Sequence, residues 1–178
     1  MNPLKVPLVL PIPPAALQID RRALTVLRRV LAVASPEEGC ALLLGRRLPS
    51  RSGADGPSGR LWRVERIWPA LNIWEPAEER RLRFRLDPRE QMLAQRWARR
   101  KRLEVLGAAH SHPTGAPQPS ATDLALTAGP TLMLILAPPA GAGPLREGSL
   151  SCWWLGDPSD DPAAPPPPPH PLMWKMVD

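Results

Sequence analysis

Apolar residues fall at helical spacing in two stretches of the chain. Leu24, Leu27 and Leu31 form one stripe with Ala23 and Val30 beside it, while Arg21, Arg22, Arg28 and Arg29 lie off it. Asp20 is placed to cap this helix and Pro36 to end it. A second helix opens on Asp87 as cap and Pro88 in the first turn, with Met92, Leu93, Trp97 and Leu103 recurring up to Gly107. Between and after these helices the pattern changes to strands. Residues 40–44, bounded by Gly39 and Gly45, read as a buried strand. Residues 61–67 alternate Trp62 and Val64, with Trp68 beyond, against Arg63, Glu65 and Ile67; residues 81–86 alternate arginines with Leu82, Phe84 and Leu86. A strand leads from Gly107 to the first of two closely spaced histidines, a short helix starts near Ala121, and residues 131–137 and 149–155 supply the remaining strands, the latter the last. Residues 8–12 are apolar but proline-broken, a lead-in or edge segment. Residues 46–60 are rich in Gly, Pro and Ser, a surface loop, and residues 69–79 show no clean period. Several short strands interrupted by two long helices and one short one predict a mixed α/β fold of the α+β kind.

Composition adds limits. A chain of 178 residues with 43% hydrophobic residues fits one compact domain. Of its 26 prolines, five form the run 165–169, which is expected to be extended polyproline. The tail after Gly156 is expected to be disordered to at least Pro171, with Leu172, Met173 and Trp174 able to dock on the domain. No stretch approaches bilayer length, and the N-terminus, with one lysine and a proline-broken apolar run, makes a poor secretory signal. Cys40 and Cys152 each sit in a strand-like apolar run, which predicts free buried thiols in a cytoplasmic protein. The formal charge is +6, concentrated in Arg80, Arg81, Arg83, Arg85 and Arg89 and then Arg96, Arg99, Arg100, Lys101 and Arg102. Such a run suits nucleic acid or an acidic protein face, or simply a solvated helix and strand edge. There is no glycine-rich nucleotide loop, no Cys-x-x-Cys and no internal repeat.

The chemistry gathers in residues 110–123, His-Ser-His-Pro-Thr-Gly-Ala-Pro-Gln-Pro-Ser-Ala-Thr-Asp, which hold two of the three histidines. If residues 107–111 are extended, His110 and His112 point to one side and Ser111 to the other. Two imidazoles on one face at a strand end suit one borderline-soft ion such as zinc. Ser120 followed three residues later by Asp123 resembles a capping arrangement, placing Asp123 in the first turn of a helix. Alone, Asp123 would only cap that helix. Beside the histidine pair and a proline-stiffened return loop, it is the candidate third ligand. Two histidines and one carboxylate leave a tetrahedral zinc one open position, the pattern of catalytic sites. A hydrolytic zinc also needs a proton acceptor that is not a ligand. Glu37 and Glu38 are the candidates, and their pattern alone does not choose between them or exclude a pair of solvated glutamates.

With these residues in view, the chain resembles the JAMM-type (MPN-plus, Mov34-type) zinc metalloproteases, in the small stand-alone prokaryotic form. The motifs are Pro36-Glu37-Glu38-Gly39-Cys40-Ala41-Leu42-Leu43-Leu44-Gly45 and the His-Ser-His-Pro segment followed by Pro-Ser-x-x-Asp; softer matches cover Asn72, residues 84–88 and Cys152-Trp153-Trp154. The resemblance spans roughly residues 16–156. It implies an MPN/JAMM fold of the cytidine-deaminase-like type, with a central mixed, mostly antiparallel sheet flanked by a few helices. The expected division is a metalloprotease domain over 1–156 and a proline-rich tail over 157–178. It further implies Zn2+ held by His110, His112 and Asp123, Glu38 as general base, and Ser120 as the serine that helps hold the oxyanion. Ala41 stands where many relatives have glycine, and the 46–60 loop is long; neither removes a chemical group. The implied activity is a peptidase or isopeptidase acting at the C-terminus of a ubiquitin-like or sulfur-carrier protein. Its tail would lie along an exposed strand edge near the zinc, and the arginine-rich surface would speed the encounter. Two other classes stay open: a nucleic-acid-binding or repair-associated relative, against which stands the lack of any identifiable aromatic platform or recognition helix, and a non-catalytic scaffold that binds a ubiquitin-fold partner.

Overall fold

The computed structural model describes residues 13–48, 61–127, 129–139, 144–156 and 168–178. The lead-in at 8–12, residues 49–60 of the expected surface loop and 157–167 of the tail lie outside the described residues. In chain order come β1 (Ala16–Asp20), α1 (Arg21–Val33), β2 (Cys40–Leu48), β3 (Leu61–Ala70), α2 (Pro88–Arg100), β4 (Glu104–Ser111), α3 (Ala121–Ala125), β5 (Thr131–Ala137), β6 (Ser149–Leu155), β7 (His170–Pro171) and β8 (Trp174–Val177). The strands form a mixed, mostly antiparallel sheet in the order β7-β6-β5-β4-β2-β3-β1-β8. Strand β4, which carries the histidine motif, is central: antiparallel to β2 with Cys40 opposite His110, and parallel to β5 with His110 opposite Ile135.

Helix α1 covers one face of the sheet. Its stripe of Leu24, Leu27 and Leu31 packs with Leu17, Ile19, Leu43, Trp62, Val64, Leu134 and Trp154 in the main core. Asp20 occupies the capping position as expected, but its side chain makes no cap bond; it accepts instead from Arg63 Nε at 2.6 Å. The other face carries α2 and α3. Asp87 caps α2 by accepting from the Arg89 amide, and Pro88 opens the helix, as the sequence implies. The buried stripe differs from expectation: Ala94 and Ala98 face the sheet with Trp97 beside them, while Met92 and Leu93 are 63% and 48% exposed. Small residues let the helix lie close over Leu42 and Leu44, so apolar bulk marks the wrong side here.

Four strand expectations also need correction. Strand β2 runs through Gly45 to Leu48, so residues 46–48, expected in the loop, pair with Leu61, Trp62 and Arg63. Residues 81–86 form no regular strand: a 3-10 turn, Ala77–Arg81, precedes an irregular segment with one isolated bridge, Asn72 to Leu86, and Leu82 is 68% exposed. The alternation of β3 also breaks. A register shift opposite Leu44 and Gly45 adds a residue on β3, so Ile67 joins Trp62 and Val64 on the α1 face while Trp68 turns to Trp97 on the other. Finally, β6 is not the last strand. Residues 168–171, expected to be disordered, are described, with His170 and Pro171 paired to β6 and Trp174–Val177 paired to β1. Leu172 and Trp174 pack on the main core, whereas Met173 projects outward.

Cys40 and Cys152 are free and buried, as expected. Cys40 lies opposite His110, His110 opposite Ile135, and Ile135 opposite Ser151, next to Cys152. Three inter-strand steps of ~4.8 Å put the thiols far beyond bridging distance. Gly107 marks a tight place in β4: a Cβ there would lie 2.0 Å from the Leu132 carbonyl oxygen of β5. Gly107→Ala should destabilise the protein by about 1–3 kcal/mol, read as a fall in Tm of roughly 2–4 °C per kcal/mol. An unchanged Tm would show that β4 and β5 are not held this closely.

Candidate metal centre

The end of β4 delivers the histidines. His110 and His112 point to the α2 face and Ser111 to the α1 face, as strand alternation requires. Ser111 Oγ donates to the Leu31 carbonyl at 3.2 Å and accepts the Gly39 amide at 2.9 Å, tying the strand end to the end of α1. The His112 amide continues the β5 ladder by donating to the Leu136 carbonyl at 2.9 Å. The return loop is pinned: His112 Nδ1 donates to the Ala116 carbonyl at 2.7 Å, and Trp153 Nε1 donates to the Pro117 carbonyl at 2.9 Å. It then enters α3 through a reciprocal capping box. Ser120 Oγ accepts the Asp123 amide at 3.1 Å, and Asp123 Oδ2 accepts the Ser120 amide at 2.7 Å.

These elements bring the polar atoms together. The two Nε2 atoms of His110 and His112 are 2.9 Å apart, and Asp123 Oδ2 lies 3.5 Å from the first and 3.6 Å from the second. Asp123 therefore caps its helix and faces the imidazoles with one and the same oxygen. Glu38 Oε1 is 3.9 Å from His112 Nε2, and ligand atoms of Glu38, His110 and His112 all lie within 4.8 Å of one another. Of the two candidate glutamates, only Glu38 is brought to this cluster; Glu37 makes no contact with it among the described residues. Ser120 lines a cleft of about 160 Å³ with Glu38, Arg81, Leu82 and His112. A larger groove of about 580 Å³, lined by Phe84, Arg85, Leu126 and Met133, reaches Asp123 from the other side.

The electrostatics follow from burial and proximity. Burial raises the Glu38 carboxyl to about 7, against the opposing pull of His112. Burial lowers His110. For His112 burial acts the same way, but the Asp123 carboxylate, the Ala116 carbonyl and Glu38 outweigh it and raise the imidazole. Burial would also raise Asp123, yet the neighbouring His110 and His112 imidazoles and the Ser120 amide hold it well below the usual carboxylate range. Cys40 is pushed up to about 12 by burial and then by Glu38, so it stays a thiol and offers no nucleophile.

The donor set fits a divalent metal. Because His112 Nδ1 donates to Ala116, the neutral imidazole carries its Nε2 lone pair inward. Zinc bonds of ~2.0–2.1 Å in a tetrahedron require donors roughly 3.3 Å apart, and the three pairwise separations of 2.9, 3.5 and 3.6 Å bracket that spacing. Two imidazoles and a carboxylate are a donor set that zinc accepts. The His110 Nδ1 atom is buried without a hydrogen-bond partner among the described residues, so its ring is oriented by packing. Phe84, the one phenylalanine of the chain, stacks on it at 4.3 Å and 21°. Sequence reasoning gave Phe84 only as a soft match and passed over Ser111 and the Ala116 carbonyl. A lone Phe between arginines carries no signal of stacking, and a backbone acceptor has no sequence signature.

The fold and this cluster define a JAB/MPN-type domain with a His-His-Glu group, joined by Asp123, able to coordinate a metal. The family of prokaryotic homologs of the JAB domain matches residues 20–156, and the chain belongs to it. No curated protein matches the chain significantly. Among solved structures, a protein of Desulfitobacterium hafniense is similar with a TM-score of 0.68 and 24% identity, covering 91% of this chain and 93% of that one. A protein of Salinibacter ruber is similar with a TM-score of 0.53 and 27% identity, covering 90% and 92%. Among the described residues no helix is long and apolar enough to cross a membrane.

We expect the purified protein to take up one zinc per chain, and His110→Ala or His112→Ala to abolish stoichiometric uptake. His170→Ala, on exposed β7, should leave uptake intact. Elemental analysis after gel filtration decides this. Cys40 and Cys152, both raised to about 12 by burial, should resist thiol reagents in the folded protein and react only with denaturant present; rapid native labelling of either would contradict their burial.

Proposed function

We propose that the protein is a zinc-dependent peptidase or isopeptidase acting at the C-terminus of a ubiquitin-like or sulfur-carrier protein. The observation that carries this is the placement of a buried carboxylate, Glu38, beside the convergent His110, His112 and Asp123 donors. In this reading His110, His112 and Asp123 hold the ion, which when bound supplies Lewis acidity and lowers the pKa of a water to roughly 7. Glu38 takes the proton of the attacking water on its carboxylate and returns it to the departing amine. Ser120 Oγ already accepts the Asp123 amide, so its hydroxyl hydrogen is free to donate to the carbonyl oxygen as charge develops there. The bond from His112 Nδ1 to Ala116 keeps the imidazole in the tautomer that this arrangement needs.

The small cleft at Glu38 and Ser120 favours an extended chain with small residues at the cut. Such a tail cannot add to β4, which has β2 and β5 on its two sides. The irregular segment 82–86, bridged only at Leu86, offers backbone groups instead. A second reading keeps the metal but not the turnover. Leu82 and Leu126, more than half exposed and flanking the two clefts, give an apolar surface on which a ubiquitin-fold partner could dock without being cut.

Zinc-loaded protein incubated with C-terminally extended ubiquitin-like and sulfur-carrier proteins should release the extension, located by intact mass. Glu38→Ala should keep its zinc and lose about 10²–10⁴ in kcat; Ser120→Ala should lose about 10²–10³. Retention of full rate by Glu38→Ala would end the proposed proton role. A tight complex with every partner intact would favour the scaffold.

A further inference from the structure

Asn72 lies just beyond β3, and its side chain uses all of its hydrogen-bonding capacity. Nδ2 donates to the Glu38 carbonyl at 3.1 Å and to the Arg83 carbonyl at 2.9 Å. Oδ1 accepts the Trp74 amide at 3.0 Å and the Arg85 amide at 3.1 Å. Two N–H donors used once each and one carbonyl oxygen accepting twice saturate a primary amide. The partners belong to separate walls of the metal centre. Glu38 comes from the junction of α1 and β2, and its amide donates to the Arg80 carbonyl at 2.7 Å. Arg83 and Arg85 bracket Phe84, whose ring stacks on His110. The Ile73 amide, donating to the Arg85 carbonyl at 2.9 Å, adds a further tie beside the clamp.

We propose that Asn72 is a positioning residue of the metal centre: by clamping the backbone of Glu38 to the segment carrying Phe84, it fixes the Glu38 carboxylate relative to the His110 ring. The inference rests on the proton role proposed for Glu38. Asn72 meets Glu38 only at its backbone carbonyl and makes no bond to His110, His112 or Asp123; it acts through two neighbours. A shift of about 1 Å in such a group can lower a rate by about 100-fold, and nothing else among the described residues bonds both walls through one side chain.

The variants Asn72→Asp and Asn72→Ala separate this role from simple loop support. Asp keeps an acceptor for the Trp74 and Arg85 amides but sets an oxygen against the Glu38 and Arg83 carbonyls. Each protein is loaded with Co2+ in place of zinc for visible spectroscopy and assayed with zinc. We expect one metal per chain throughout, kcat lowered 10- to 100-fold with KM within threefold, and shifted Co2+ bands in both variants. The kcat effect of Asn72→Asp should vanish in a Glu38→Ala background, because a residue acting through Glu38 has nothing left to position. A folded Asn72→Asp protein with wild-type kcat and an unshifted Co2+ spectrum overturns the proposal, as does an undiminished effect in the Glu38→Ala background. Should Asn72→Ala fail to fold, the Asp variant decides. Should wild-type protein cut no substrate, the proposed function falls, and the Co2+ spectra alone judge the clamp.

Discussion

Two imidazoles and two carboxylates share a space a few ångströms across and are almost wholly withdrawn from water. Ionised groups in such surroundings are costly unless each is paired or hydrogen-bonded. The surrounding chain is arranged to meet that demand. The Ser120 amide holds Asp123, the Ala116 carbonyl holds His112, and the backbone of Glu38 is held at both its amide and its carbonyl. Each of these bonds draws a different segment inward. Three stretches far apart in sequence, around residues 38, 72–80 and 112–123, thus meet because their polar groups have no cheaper place to go.

The same demand shapes the rigid parts of the site. The loop between β4 and α3 has prolines at 113, 117 and 119, bonds to His112 and Trp153, and a capping box at its far end, which together make it a fixed wall. With His112 fixed in tautomer and His110 held by a stacked ring, the two Nε2 atoms converge to 2.9 Å, close enough to share one proton or to turn both lone pairs to a cation. A cation takes the place of that shared proton and engages both nitrogens at once. Local chain stiffness is here converted into a preference for a metal.

Much of this was legible in the sequence because the informative residues are periodic or close together. Alternation placed His110 and His112 on one face, and the Ser120 to Asp123 spacing placed the carboxylate in a first turn. The distant Glu38 was legible only through its resemblance to a family motif, since nothing local distinguishes it from Glu37. Failures arose where tertiary contacts overrode pattern. In α2, alanines face the sheet because closeness mattered more than apolar bulk. In β3, one extra residue reversed the alternation at Ile67 and Trp68. Residues 81–86 look like a strand, but the backbone there is claimed by Asn72, and an asparagine side chain acting as a four-way connector has no period to betray it.

The segment 170–177 has a wider effect than its length suggests. Strands β7 and β8 occupy opposite ends of the sheet order, yet only Leu172 and Met173 separate them. Three residue steps span at most about 11 Å, so the two margins of the sheet must curl to within that distance. One short stretch of chain therefore seals both margins at once, like a clasp on a bracelet. Were it to peel away, two unsatisfied backbone rows would open together, and other chains could zip onto either.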